Sequence, residues 1–528
     1  MSRIHARTLR FSAGLCLRIP AAVGQGRAVC PPAAQRSAPV AVAGSGPARG
    51  RRRHRPVSRL VSAMAGVVVA GGLAIPAASA APGGLAFAGC VGDLAGCAAT
   101  SPANALDGSS AVTVVGNQVY TASSWEGTVS HFTMDLAGNL TYDGCLGNLP
   151  GCTALSSDLA ISTPTALAAA NGQLYVASAD SQTVSHFTID PAGNLTFADC
   201  YGSGDGCTPV TPADALKLAD GLAITPDGQQ LYTTSYTGSV VSHFTIDAAG
   251  NLAFAGCIGD LAGCTSTSPA GALDGAWGVA ITPDGQHLYA ASLMGNAISH
   301  FTIDSAGNLT FAGCIGSLTG CATTSPAGAL NGADALVVTP DGHHLYAAAT
   351  TANAVSHFTI DPAGNLNYAG CIGDLFGCAT MTPGALDGAD ALAITSDGAH
   401  VYAAGGSGHA ISHFTMDAAG NLNYAGCIGD HAGCATTSPA GALVGVNGLA
   451  VTGDGAHLYA TAFTGNAVSH FAIAGFTTAN PPGGPYRRIC HFNCNPLPGG
   501  LVPGGLLPRT CLFGCHPLPS GILLRTLP

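Results

Sequence analysis

The sequence predicts an all-β fold, a seven-bladed β-propeller of four-stranded antiparallel blades. Three observations predict it. First, Ser-His-Phe-Thr-Ile-Asp recurs seven times with small changes, at His131, His186, His243, His300, His357, His413 and His470, spaced 55, 57, 57, 57, 56 and 57 residues apart. A fixed period of this length marks stacked supersecondary units. Second, each period contains four short β-type runs divided by turn residues, and no segment keeps a helical period. Third, the repeats begin at 83–92 with a fourth strand alone and end at 467–474 with a third strand alone. The N-terminal strand is therefore expected to complete the last blade, which leaves no open sheet edge in the ring.

The unit following His300 shows each element in order. Residues 335–339 are a short apolar run, expected to be the buried inner strand. Pro340-Asp341-Gly342 is a tight turn, because Pro presets φ and Gly accepts positive φ. Residues 344–349 are the second strand. Residues 354–361 alternate and are β-branched and aromatic, hence the third. Ala363-Gly364-Asn365 turns the chain into the fourth, 366–372.

TPDGQHLYAAS at 282–292, followed by NAISHFTID, resembles the S-P-D-G-x-x-L-Y-V-x-N and N-x-V-S-x-x-x-x-D pattern of lactonase-like and YVTN-type propellers. The resemblance spans nearly the whole repeat region. It implies the seven-bladed fold and lactone hydrolysis as one activity to consider. That superfamily mixes enzymes with surface proteins, so function has to be argued from the site.

Three domains are expected. Residues 1–80 form a leader. Its first 59 residues hold twelve Arg and no acidic residue. Arg51-Arg52-Arg53-His54-Arg55, an apolar run at 60–75 and Ala78-Ser79-Ala80 have the layout of a secretory signal cleaved near residue 80. The apolar run is short for a membrane span, so the mature chain is expected to be secreted or surface-associated, with no integral span. Residues 81–476 are the propeller. Residues 477–528 are a Pro- and Gly-rich tail carrying Cys490, Cys494, Cys511 and Cys515 with His491 and His516. Zinc binding, disulfides and an unstructured tail all remain open there.

All 27 Asp and the single Glu126 lie in the propeller, against one base, Lys217, so that domain carries 28 − 1 = 27 excess negative charges. The whole-chain value of −11 conceals this, because the other basic residues sit in the leader and tail. Such a field excludes nucleic acid and anionic lipid as partners and favours cations. Most of the Asp residues occupy turns or strand ends and are expected to be structural.

Fourteen of the twenty cysteines form seven C-x6-C pairs. They are Cys90 with Cys97, Cys145 with Cys152, Cys200 with Cys207, Cys257 with Cys264, Cys314 with Cys321, Cys371 with Cys378, and Cys427 with Cys434. Each pair starts where a fourth strand ends, and disulfide bonding within a blade after export is the economical reading. Zinc would need four close ligands, usually two to four residues apart. In a propeller the fourth-to-first and second-to-third connections share one face. That face carries the long cysteine loops here, and the opposite face only short, uniform turns. Binding is therefore expected on the stapled face.

Between blades, the position entering the first strand varies most: Ser110, Thr165, Asp220, Trp277, Asp334, Asp390 and Asn447. These are the candidate ligand-binding residues around the channel mouth. Asp220, Asp334 and Asp390 are candidate metal ligands for a hard cation such as calcium, the alternative being a water-filled mouth. The second-to-third turns also vary, including Ser124-Trp125, Tyr236-Thr237, Leu293-Met294 and Phe463-Thr464. The seven repeat histidines, one to a blade, are expected to be structural, as are the sequon asparagines Asn139, Asn194 and Asn308. No serine–histidine–acid arrangement is readable, and no catalytic residue is assigned. The leading expectation is a monomeric binding scaffold for a protein, glycan or small molecule. The alternative is a hydrolase acting on a non-phosphorylated lactone, with a cation at the Asp ring able to polarise the carbonyl. One Lys and no Arg in the domain make a poor phosphate clamp.

Overall fold

A computed structural model describes residues 81–155, 160–476, 489–496 and 509–516. All fall in the second of the chain's two units, Ser79–Pro528. The expected leader and signal lie outside the described residues. Among those described, no helix is long and apolar enough to cross a membrane.

The repeats fold into seven four-stranded antiparallel sheets, which are the blades of a β-propeller. Blades 1 to 6 cover 109–147, 164–202, 219–259, 276–316, 333–373 and 389–429, each with its four strands in chain order. Blade 7 takes Val446–Val451, His457–Ala462 and Ala467–Ile473, and its outer strand is Leu85–Gly92, paired from Leu85↔Ile473 to Gly92↔Ala467. The seven inner strands neighbour one another in a closed circle. Beyond their first residues these strands are mostly only partly buried, as in Ala333–Val338, because they line the central opening, whereas second strands such as His344–Ala349 are almost fully covered.

Blades pack through apolar clusters shared between neighbours; Tyr289, Ile298, Leu330, Leu345 and Phe358 form one between blades 4 and 5. A polar latch repeats seven times on the short-turn face. Each buried second-strand Tyr donates its hydroxyl to the turn glycine of the next blade: Tyr120 to Gly193 O, Tyr175 to Gly250 O, Tyr232 to Gly307 O, Tyr289 to Gly364 O, Tyr346 to Gly420 O, Tyr402 to Gly83 O and Tyr459 to Gly138 O, all at 2.5–2.8 Å. The repeat histidine stacks on that Tyr, as His300 does on Tyr289 with ring centroids 5.2 Å apart. Its Nε2 bonds to a Gln in blades 1–3 (His243–Gln230, 2.7 Å) and to a second His in blades 4–7 (His300–His287, 3.0 Å). The turn glycines have to be glycines. Gly364 lies at φ +79°, and a Cβ there would stand 2.3 Å from His287 Nδ1. The sequon asparagines belong to these turns; Asn308 Nδ2 donates to Asp304 at 3.0 Å.

All seven C-x6-C pairs are disulfide-bonded within their own blades, as expected. Cys90 is joined to Cys97, Cys145 to Cys152, Cys200 to Cys207 and Cys257 to Cys264. Cys314 is joined to Cys321, Cys371 to Cys378 and Cys427 to Cys434. Cα–Cα separations are 4.7–4.9 Å throughout. These cysteines are therefore structural staples and take no part in a thiol or metal site. Each loop folds back on the outer strand it leaves; Ala322 N donates to Cys314 O at 2.9 Å. Bonded pairs of this number fit an oxidising compartment. In the tail, Ile489–Pro496 and Arg509–His516 pair as a two-stranded antiparallel ribbon that sets Cys490 opposite Cys515 and Cys494 opposite Cys511.

Candidate functional site at the channel mouth

The stapled face brings together the two connections expected to share it. In every blade the second-to-third turn donates an N–H to the loop entering the inner strand, as Tyr236 N does to Leu218 O, Leu293 N to Gly275 O and Thr350 N to Gly332 O at 2.9–3.0 Å. The variable positions of both sets therefore meet around one opening.

The sequence starts the fifth inner strand at residue 335, but the strand is Ala333–Val338. Ala333 already pairs with Ala349, and the next pair is Leu336↔Ala347. Asp334 and Ala335 thus oppose Ala348 alone, which is a β-bulge. The same irregularity falls at Ser110, Thr165, Asp220, Trp277, Asp390 and Asn447. An extra residue bends a strand and re-aims its side chain. All seven candidate positions are thereby taken out of the regular pleat at the mouth.

Chemically the seven divide. Ser110 Oγ donates to Pro164 O of the next blade at 2.8 Å, and Thr165 Oγ1 to Ala219 O at 2.8 Å. These two hydroxyls are consumed in joining blades. Asn447 accepts from Thr461 Oγ1 at 3.3 Å. Asp220 and Asp334 are 6% and 7% exposed and neither carboxyl bonds to a protein group among the described residues, but their oxygens are not fully covered and open onto the channel. The half-buried Asp390 carboxyl is likewise without a partner. It fits only because Gly406 has no side chain, since a Cβ there would lie 2.1 Å from Asp390 Oδ2. Burial raises the Asp220 carboxyl to about 8 and that of Asp390 to about 7. Asp334 is raised well above the usual carboxylate range, chiefly by burial and then by the charges of Asp390 and Asp220.

Among the described residues, no three His, Cys, Asp or Glu side chains are placed to hold a metal ion. Asp334 and Asp390 stand on adjacent blades, but blade 4 separates Asp220 from Asp334 and presents Trp277 instead.

Trp277 meets Tyr236 edge to face, with centroids 5.5 Å apart and planes at 88°. Met294, 51% exposed, adjoins the pair; a Cβ on Gly275 would touch Met294 Cγ at 2.8 Å and Tyr236 Cε2 at 3.1 Å. Trp125 and Phe463 make a second aromatic contact at 4.9 Å, between blades 1 and 7. Sequence comparison passes over Thr234, which stands where blades 1, 2, 4, 5 and 6 have Ala. Its hydroxyl donates to Trp277 O and accepts from Gly221 N at 2.8 Å, fixing blade 3 to blade 4 under the tryptophan. Gly221 leaves room, since a Cβ would meet Thr234 Oγ1 at 2.8 Å. Gly448 with Thr461 repeats the pairing in blade 7. That joint departure from Ala was a readable signal. The propeller's one base, Lys217, is occupied near this face by Asp214 at 3.4 Å.

Comparison with known proteins finds no matching family model and no matching curated protein. Among solved structures, the chain is similar to a putative 6-phosphogluconolactonase from Bacteroides fragilis, with 20% identity over 60% of this chain and 82% of that one and a TM-score of 0.45. A periplasmic gluconolactonase from Pseudomonas aeruginosa matches at 17% identity over 60% and 84% of the two chains, with a TM-score of 0.43. A functionally unknown protein from Desulfotomaculum acetoxidans matches at 15% identity over 69% and 96%, with a TM-score of 0.47.

Proposed function

We propose that this chain is an exported binding propeller whose ligand enters the channel mouth on the disulfide-stapled face. The observation that carries the reading is the set of largely buried carboxyls at Asp220 and Asp334, beside Asp390, which bond to no protein group and open onto the channel. Drawing a carboxyl this far out of water costs stability. The neighbouring Ser110 and Thr165 show that a hydroxyl at this ring position finds a partner readily. Carboxyls kept there without one stay available to a ligand in the channel. Ser110, Thr165 and Asn447 shape the mouth on this reading, and Asp220, Trp277, Asp334 and Asp390 make the contacts. The test is a small-molecule panel screened by thermal shift against the exported protein, with Asp334→Asn/Asp390→Asn as counter-screen. Stabilising compounds should lose their effect in the double variant. Compounds that stabilise both proteins equally would place binding elsewhere.

A second reading, hydrolysis of a non-phosphorylated lactone, draws on the same pair. Asp334 and Asp390 resist ionising together, so one can remain protonated near neutrality while the other acts as base. Turnover of a neutral lactone that disappears in both single Asp→Asn variants would favour this reading; turnover unaffected by them would remove it.

A further inference from the structure

The mouth is not uniform around its circumference. In blade order, Asp220, Trp277 and Asp334 are consecutive ring positions, so a tryptophan stands between two largely buried acids whose carboxyls bond to no protein group and open onto the channel. From these observations we infer that the sector formed by blades 3, 4 and 5 is a binding site for a small organic ammonium ion, with Trp277 and Tyr236 as aromatic walls and Asp220 and Asp334 as counter-charges. The inference rests on the channel-mouth reading above and names its ligand class.

Four features select this chemistry. Trp277 and Tyr236 meet edge to face with planes at 88°, both rings stay partly exposed, and Met294 adds a polarisable surface beside them. Cations are drawn to aromatic faces by the ring quadrupole, most strongly to Trp, and the attraction grows when water is excluded. Acidic groups lie near this wall: the Tyr236 hydroxyl is raised first by burial and then by Asp274 and Asp220. A hard cation is disfavoured by the same geometry: calcium wants six to eight oxygens, and no three acidic side chains among the described residues converge on one point. An ammonium carrying methyl or methylene groups is weakly hydrated and needs only one or two carboxylates. An anionic ligand is disfavoured by the 27 excess negative charges of the domain and by the pairing of Lys217 with Asp214. The remaining sectors do not offer the combination, since Ser110 and Thr165 are bonded to neighbouring blades and Asn447 to Thr461.

The protein supplies its own reporter. It has two tryptophans, Trp125 and Trp277, so Trp125→Phe leaves the site tryptophan as the sole indole. In that background choline is titrated and Trp277 fluorescence followed, with 3,3-dimethylbutanol, its neutral carbon analogue, in parallel. Choline should change the emission saturably and bind about tenfold or more tighter than the analogue, and Asp220→Asn and Asp334→Asn should each weaken it at least about fivefold while the fold persists by circular dichroism. Equal binding of choline and the neutral analogue would overturn the ammonium inference and leave the mouth as the binding site. Choline binding that persists unchanged in both Asp variants would overturn it too, placing the cation elsewhere. Absence of any change at Trp277 with choline, while panel compounds still require Asp334 and Asp390, would overturn the inference alone.

Discussion

Single carboxyls and imidazoles at the two ends of the propeller are perturbed in opposite senses. At the mouth, the Asp220 and Asp390 carboxyls stand at about 8 and about 7, above the ordinary 3.8. A raised acid is worth most to the fold below its unfolded pKa, and that contribution is lost as pH rises through the folded value. Asp220→Asn should therefore stabilise the ligand-free protein at pH 8 by about 1 kcal/mol or more and be near neutral at pH 4, by calorimetry. On the opposite face, burial lowers His243, His300, His357, His413 and His470 to about 4. Their contribution is complete above about 6.5 and lost as pH falls towards 4, at no more than roughly 3 kcal/mol each. Replacing His300 by Gln should flatten the acid limb of a melting-temperature profile; an unchanged limb would contradict the assignment. Identities at the mouth were legible because seven near-copies expose every departure. Placement was less so. The bulge that re-aims Asp334 leaves no mark in the hydrophobic pattern, and the absence of a partner on its carboxyl depends on blades dozens of residues apart in sequence.

The blade-to-blade latch and the stapled loop are the two repeated elements that carry testable consequences. Gly364→Ala places a Cβ 2.3 Å from His287 Nδ1 at φ +79°. Thermal unfolding should show a loss of about 1–3 kcal/mol, well above the roughly 0.5 kcal/mol or less expected of an exposed surface change such as Leu136→Ala. Each disulfide closes a loop with a separation of seven residues, which stabilises by about 2–3 kcal/mol on the chain-entropy estimate. Mass spectrometry of an unreduced digest should recover seven intra-blade pairs, with inter-blade links the contrary result. Strand boundaries and disulfide pairing were readable because both obey local rules of alternation, turn chemistry and short separation. The Tyr289–Gly364 bond was not readable, because it crosses blades and needs the ring to be closed.

Taken whole, the propeller has a uniform face that holds it together and a varied face that departs from the repeat. Functional sites are where a sequence departs from the rules that stabilise the rest. The two pH effects bracket a stability maximum, with buried imidazoles opposing acid and mouth carboxyls opposing alkali. The most direct measurement is the melting temperature of Asp220→Asn/Asp334→Asn/Asp390→Asn relative to the unmodified protein, across pH 4–8 without ligand. The variant should start near equality at pH 4 and gain roughly 2 °C or more by pH 8, because the mouth keeps carboxyls that the fold does not need. A variant that is less stable at every pH would show these residues to be structural, and the mouth would lose its claim as the binding site.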